Sequence, residues 1–493
     1  MQKAFSTQQR NHSIATLAIV SIVLLVMLYG YWNIQQDDSY IVYSYAYNLA
    51  NGYGYVFNIG ERINATTSPL YTILLSLIAV TLQYFPFISL PLIGHLIGTI
   101  SLFFICLFLM ETFTTERTFL FPFILPFTFL LTPLLPNAIG METFLAIMLA
   151  VMCLYLYSRG KLLAASLACS FAVLARPDML LLGAVMLIYD LIRNHRLPSI
   201  YMSLIFLCPV FVWLLFSYMY FGELLPTTLS AKLGQTQSGR WGSGLIFFKG
   251  LLSQQVWQTS FFSDLVTGAI LSGFVILFLR RRHWSIFRHP VFHLILLWNL
   301  VYLGVYGFIL NPPAYPWYYT PLSTGIALLM TIPIEACYRF IRGKDVVNNR
   351  TIIAVLFSFL VTACFILPVY YTMWGDADAK YENYKLAAEW LNANVRAGSS
   401  VGANEIGVLR YYYKKGPVID GLGLVTSEAA EHVRQRDYSW YIQRYRPDYL
   451  MFNHPHRPIL ESMVESDWFQ EDYMLRTIIN TSRRAVAIYE RQN

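Results

Sequence analysis

The sequence predicts an all-α polytopic membrane domain followed by a small C-terminal α/β soluble domain, and three observations predict it. Of the 493 residues, 56% are hydrophobic and 13% charged, against roughly 25% charged in a soluble domain. Apolar runs of about 18 residues or more, enough to cross the hydrocarbon at 1.5 Å rise per residue, recur between Ile14 and Trp374. Beyond Trp374 charges are spread throughout and helix and strand signals take turns.

The expected spans are Ile14–Tyr31, Pro69–Gln83, Ile88–Met110, Thr118–Leu135, Met141–Ser158, Leu162–Ala175, Met179–Ile192, Ser199–Phe221, Leu265–Phe278, Val291–Leu310, Tyr318–Cys337 and Ile352–Met373. The first follows Lys3 and Arg10 without a small-residue cleavage signature and reads as a retained helix. Basic clusters at Arg159/Lys161, Arg193/Arg196, Arg280/Arg281/Arg282 and Arg339/Arg342/Lys344/Arg350 fall in every second loop, which marks those loops as cytoplasmic. The N-terminus is then cytoplasmic. The large loops 33–68 and 222–263 and everything after residue 373 then lie outside. Parity conflicts at one place: only an odd number of crossings fits between the first outer loop and Glu116/Arg117, yet two apolar segments stand there. Pro69–Gln83 is the shorter and reads as a shallow or re-entrant helix, a missed span being the alternative. The expected total is odd, about eleven to thirteen.

The net charge of +7 does not point to nucleic acid, because most Lys and Arg sit in the short clusters that topology requires. All six cysteines lie inside apolar segments, against a disulfide framework or thiol metal site. In the tail (374–493), Ala379–Asn394 reads as an amphipathic helix with Tyr384, Ala387, Ala388 and Leu391 on one face. Ser400–Ala403, Pro417–Asp420 and Asp448–Phe452 read as strands. Gly421-Leu422-Gly423 has no third glycine opening a helix and reads as a turn. His454 and His456 lack the further ligands of a metal site.

The first outer loop carries the chemistry. From Asp37 it reads DDSYIVYSYAYNLANGYGYVFNIGERINATTSPLYT, polar and aromatic throughout. Adjacent carboxylates where an apolar helix emerges are costly to desolvate and persist with a positive partner, a metal or a reaction to serve. One reading is a pair capping the run Tyr40–Ala50. The other is a general base, Asp37 or Asp38, taking the proton of an attacking sugar hydroxyl.

This loop closely resembles the first outer loop of C-type (GT-C) glycosyltransferases that use polyprenyl-phosphate sugars, especially bacterial terminal arabinofuranosyltransferase-like membrane proteins. The DDAY-like start, the YAxNLAxGxG segment and the F/W-N-x-G-E turn stand in order. Weaker likeness continues at GMET (Gly140–Thr143), ARPD (Ala175–Asp178), YFGELLPTTLSAK (Tyr220–Lys232), PWYYTPL (Pro316–Leu322) and EIGVLRYYYKKGPVIDGLGL (Glu405–Leu424). The resemblance implies a GT-C-like fold, an outer active site and inverting transfer from a polyprenyl-phosphate-linked sugar. It puts the essential acidic residue on Asp37 and Asp38 and, the relatives being bacterial, puts the outer face on the periplasmic side of an inner membrane. Ala65, Thr66 and Thr67 depart from the usual glycine and aromatic, so arabinose does not follow.

Cations expected at a donor phosphate are Arg176, Lys232, Arg240 and Arg62. Against these stand an Arg176–Asp178 pair that merely ends one helix and starts the next, and loop charges that are merely solvated. Glu142, Asp178, Tyr318 and Tyr319 are candidate substrate contacts, weighed against helix-dipole and aromatic-belt roles. The sequence points to no certain cofactor; a divalent cation on Asp37 and Asp38 is the open alternative. The acceptor class is an envelope glycan, glycolipid or protein, and the remaining partner is the bilayer. A transporter or lipid flippase is the competing function, but the charges gather at span ends on the outer side and no paired halves are seen.

Overall fold

The computed structural model describes residues 2–30, 35–82, 89–114, 120–251, 253, 271, 285–343, 379–426, 428–481 and 485–492. The expected spans Leu265–Phe278 and Ile352–Met373, and the Arg280/Arg281/Arg282 and Lys344/Arg350 clusters, lie outside the described residues. So does the boundary expected at residue 374.

The apolar runs form helices α1 (Gln2–Gly30), α2 (Asp37–Ala50), α3 (Pro69–Thr81), α4 (Leu90–Phe113), α5 (Phe121–Leu130), α6 (Thr143–Ser158), α7 (Leu162–Ala175), α8 (Leu180–Tyr189), α9 (Ile200–Phe221), α10 (Thr227–Gln237), α11 (Ile246–Leu251), α12 (Pro290–Gly304) and α13 (Ser323–Gly343). Among the described residues four stretches are long and apolar enough to cross a membrane: Arg10–Gly30, Leu90–Phe113, Ile200–Phe221 and Pro290–Leu310. Shorter apolar helices, including α3, α6 and α7, pack among them. On α9, Leu204, Leu207, Phe211 and Val212 are exposed, as a helix facing hydrocarbon requires.

At the place of the parity conflict the starts of α3 and α4 lie together. Tyr43 of α2 and Tyr71 at the start of α3 both donate to the Gly140 carbonyl, at 2.6 and 2.9 Å. A Cβ on Gly94, near the start of α4, would meet the same two hydroxyls. The chain therefore enters α3 and α4 at one end of the helical body. With 13 residues, α3 is about 20 Å long at 1.5 Å per residue, short of the hydrocarbon thickness of about 30 Å. Both facts agree with a shallow helix. Gly140 itself has φ +76° and accepts these bonds from a turn that a side chain would crowd.

The tail forms α14 (Ala379–Asn394), β1 (Val401–Ala403), α15 (Gly407–Tyr412), β2 (Val418–Asp420), α16 (Ala429–Arg434), α17 (Trp440–Tyr445), β3 (Tyr449–His454), α18 (Asp467–Asp472), β4 (Tyr473–Asn480) and β5 (Ala485–Arg491). The sheet order is β2-β1-β3-β5-β4, parallel through β2, β1 and β3 and antiparallel at β5 and β4. Tyr384, Ala387, Ala388 and Leu391 are buried, as the helical periodicity of α14 requires. The Gly421–Gly423 turn is held by Asp420, which accepts from the Leu422 and Val425 amides at 2.8 and 2.9 Å.

The first loop grips this domain at three points. Asp37 accepts from the amides of Gly407 and Val408, at 3.0 and 2.8 Å, so it caps α15. It makes no capping bond to its own helix α2, whose N-cap is Gln36. Asn58 pairs with Val418 as a peptide unit would, donating to its carbonyl at 2.9 Å and accepting from its amide at 3.0 Å. Buried Arg410 donates to the Phe57 carbonyl at 3.0 Å. Asn58→Ala leaves both polar groups of Val418 unpaired and is expected to weaken docking by about 1–3 kcal/mol. Hydrogen exchange at Val418 should accelerate; an unchanged rate there refutes the clamp.

Candidate active site

A cavity of about 420 Å3 opens between α2, the loop after it, α8, α10 and the segment 305–318. Asp38, Glu142, Arg176, Asp178, Lys232 and Tyr318 all line it. Of the expected residues, these six are brought together. Asp37 is turned away toward α15. Arg62 is exposed and lies over the Tyr220 ring at 4.7 Å. Arg240 and Tyr319 do not line the cavity; Tyr319 donates to the Phe247 carbonyl at 2.8 Å and stacks on the Phe247 ring.

The two aspartates thus separate by one step along the helix. Adjacent helical residues point about 100° apart, so Asp37 meets the tail while Asp38 faces the cavity. Burial and the neighbouring Glu405 and Asp38 push Asp37 up to about 7, against two amides that favour its anion. Asp38 is also raised, by burial first and by Glu405, while Lys232 opposes the shift. Lys232 Nζ stands 3.8 Å from Asp38 Oδ2 with its side chain 16% exposed. It also lies over the Tyr315 ring at 4.1 Å, and Tyr315 stacks nearly parallel on cavity-lining Trp317 at 4.8 Å. A solvated loop charge has neither burial nor such partners.

Helix α10 holds Lys232 in place from the tail side. Thr227, at its start, donates to the Leu424 carbonyl at 2.8 Å. At Gly234 the backbone comes so near Ala430 that an added Cβ would sit 2.5 Å from its carbonyl oxygen. Only glycine permits that approach.

Arg176 is differently placed. It is 5% exposed and directs Nη2 to Asp178 at 2.8 Å, Nε to both Asp178 oxygens at 3.2 and 3.3 Å, and Nη1 to Glu142 at 3.3 Å and Thr143 at 2.8 Å. Asp178 also accepts from Tyr306 and Tyr302 at 2.9 and 3.3 Å. The ARPD turn therefore forms the expected Arg–Asp pair, with Pro177 opening the following 3-10 turn, and extends it to Glu142 at the N-cap of α6. A guanidinium has five N–H groups, and these contacts occupy Nε and both terminal nitrogens.

Sequence reasoning missed Glu405, Arg457, Tyr315 and Tyr306 as site residues. Arg457 donates to Glu405 at 2.7 Å, and Glu405, from the tail, is near enough to both aspartates to raise them. Glu405 opens the EIGVLRYYYKKG segment, which was the available signal. Tyr306 lies within an apolar run that offered none. Asp37 gives both oxygens to backbone amides while Asp38 faces a lysine, so the pair does not converge on one point. Among the described residues no group of three or more His, Cys, Asp or Glu is arranged to hold a metal.

Residues 372–489 match a family described as Domain of unknown function (DUF8728). By sequence, no curated protein matches the chain. Among solved structures, the apo oligosaccharyltransferase of Archaeoglobus fulgidus is similar with a TM-score of 0.57 at 11% identity, over 90% of this chain and 69% of that one. The same organism's AglB, in complex with an inhibitory peptide and a dolichol-phosphate, gives 0.55 at 11% identity over the same shares. Apo ArnT from Cupriavidus metallidurans gives 0.53 at 11% identity, over 96% of this chain and 97% of that one. The chain therefore has the membrane fold of the C-type glycosyltransferases, the superfamily to which these neighbours belong.

Proposed function

We propose that the chain is an inverting membrane glycosyltransferase that moves a sugar from a polyprenyl-phosphate donor to an envelope glycan, glycolipid or protein acceptor on the outer face. The observation that carries the reading is one cavity lined both by the Asp38–Lys232 pair and by Leu180, Leu181, Leu225, Leu229 and Leu233. A polar reaction centre continuous with an apolar wall suits a sugar phosphate on a lipid. The archaeal neighbour described with a dolichol-phosphate is consistent with a donor of that class.

Asp38 is the general base. The acceptor hydroxyl oxygen attacks the anomeric carbon from the face opposite the phosphate. Its proton passes to Asp38, the anomeric carbon–oxygen bond breaks, and the electron pair leaves on the polyprenyl phosphate. Three carboxylates and two cations line the cavity among the described residues, so its wall has no surplus positive charge at rest. Proton uptake by Asp38 changes that balance. Lys232 loses its counter-charge as negative charge grows on the leaving phosphate, and becomes free to stabilise it. Arg176, closed by Asp178 and Glu142, shapes the wall and contributes a field, while Lys232 makes the phosphate contact. No step is routed through a divalent ion, because the aspartates do not converge; transfer is expected to persist in a strong chelator.

Asp38→Asn should lower transfer about 10²–10⁴-fold, the range for a general base, with expression and folding intact. Asp37→Asn should act mainly through tail docking and leave more activity than Asp38→Asn. The reverse order removes Asp38 as base. The rate must rise with pH as Asp38 loses its proton, and burial sets that acid limb above the ordinary carboxylate value of 3.8. Because Lys232 holds Asp38 down, Lys232→Met should move the limb of kcat/KM to still higher pH; a limb that stays or moves down breaks the proposed coupling.

A further inference from the structure

The parallel part of the tail's sheet runs β2-β1-β3. The chain steps from β1 to β2 on one side and then to β3 on the other, so strand order reverses between β1 and β3. In an open α/β sheet a crevice lies outside the carboxyl ends of the strands at such a reversal, and ligands seat there. The amides of Gly407 and Val408, just beyond β1, are already taken by the Asp37 carboxylate. A Cβ added to Gly407 would overlap the Asp37 carbonyl. The crevice therefore opens on the start of α2, where Asp38 is the next residue.

Two side chains meet across it. Glu405 follows β1 and Arg457 follows β3, and Arg457 Nη2 donates to Glu405 Oε1 at 2.7 Å. They are 25% and 28% exposed, so a solute reaches both. Their bond uses one of five guanidinium N–H groups and one carboxylate oxygen, which leaves each with capacity for a further partner. Glu461, itself buried, fixes the loop that presents Arg457: it accepts from the Arg457 amide at 2.7 Å and from the Asn453 side chain at 2.8 Å. From α14, Tyr384 is 2% exposed and its hydroxyl has no hydrogen-bond partner among the described residues. Burial first, and then the charge of Glu405, pushes that hydroxyl up, so it stays a donor beside the pair.

A donor and an acceptor held side by side match the hydroxyls of a diol, each of which both donates and accepts. The charges narrow the class. Asp37, Asp38 and Glu405 stand against Lys232 and Arg457, and an anionic solute meets that surplus of carboxylates with repulsion. An extended peptide would pair along a sheet edge, and Asn58 already occupies Val418 on the β2 edge. We infer that the crevice seats the acceptor, with Glu405 and Arg457 on neighbouring hydroxyls of an uncharged sugar and a further hydroxyl presented to Asp38. The inference rests on the glycosyltransferase reading above and names its acceptor as the neutral sugar of a glycan or glycolipid. Glu405 and Arg457 determine specificity, while Lys232 handles the donor phosphate.

The test is steady-state transfer by the full chain in nanodiscs. The donor is the radiolabelled polyprenyl-phosphate-sugar extract of cells lacking the gene. The acceptor is the envelope of the same cells, split into neutral polysaccharide, neutral glycolipid, acidic glycan and protein. Wild type should label a neutral fraction, and which of the two is labelled tells whether the sugar sits on a polymer or on a lipid. Glu405→Gln and Arg457→Lys should each raise the KM for that fraction about tenfold and leave the donor KM within twofold. Both are read at a pH above the acid limb, so that the influence of Glu405 on Asp38 does not enter. Hydrogen exchange at Gly407 and Val408 should match wild type; a variant that loses this protection leaves the other to decide, and its loss in both gives the pair a structural role and sinks the seat. An unchanged acceptor KM in a docked variant places the acceptor elsewhere while the transferase reading stands. Labelling of the acidic or protein fraction overturns the acceptor class. If wild type labels no fraction, the transferase reading itself fails, and the seat with it.

Discussion

The carboxylate of Asp37 on the amides of Gly407 and Val408 is the contact on which the rest of the site depends. It joins residues 370 positions apart in sequence and fixes the start of α2 against the tail. Asp38 inherits its direction from that fixation, one helical step away. Lys232 inherits its own from α10, which the tail also holds through Leu424 and the close approach at Gly234. Asp38 and Lys232 therefore come from different parts of the helical body, and the tail is the common surface that registers them. A tail added only for partner binding has no need of such contacts.

The electrostatics divide labour in the same way. A buried guanidinium closed by two carboxylates and the Thr143 hydroxyl, with two tyrosine hydroxyls holding Asp178 in turn, is a rigid element, since breaking a buried pair from one side leaves an uncompensated charge. Lys232 is held more loosely, by a 3.8 Å ion pair and a tyrosine face. Its ammonium is a point charge on a flexible stem and can change partners without losing a fork geometry. The site thus pairs an arginine closed by its partners with a lysine able to exchange its own.

Local features were legible in the sequence and distant ones were not. The face of α14 was readable because Tyr384, Ala387, Ala388 and Leu391 recur at helical spacing, and β1, β2 and β3 were readable as short apolar runs between turns. The Arg176–Asp178 pair was readable because both partners share one turn. The hairpin of β4 and β5 was missed: most of β4 is exposed, with Met474, Leu475 and Ile478 facing outward, so burial imposed no clean alternation on it. Asp37 and Asp38 could be marked as costly but not told apart, because what separates them is an amide pair in a domain hundreds of residues away. The same distance hid the function of Asn58, which sequence reading placed only within a turn motif.

Asn58 also changes how the sheet meets its surroundings. Strand β2 is an edge, and an unpaired edge is a template for any extended chain that drifts against it. By occupying the outward amide and carbonyl of Val418 with a side chain, the membrane body supplies a stopper that cannot itself extend the sheet. The β2 edge of the tail is thereby closed to pairing with its own copies on a crowded membrane face. The protection belongs to the intact chain, since a tail cut free of the body would carry that edge bare.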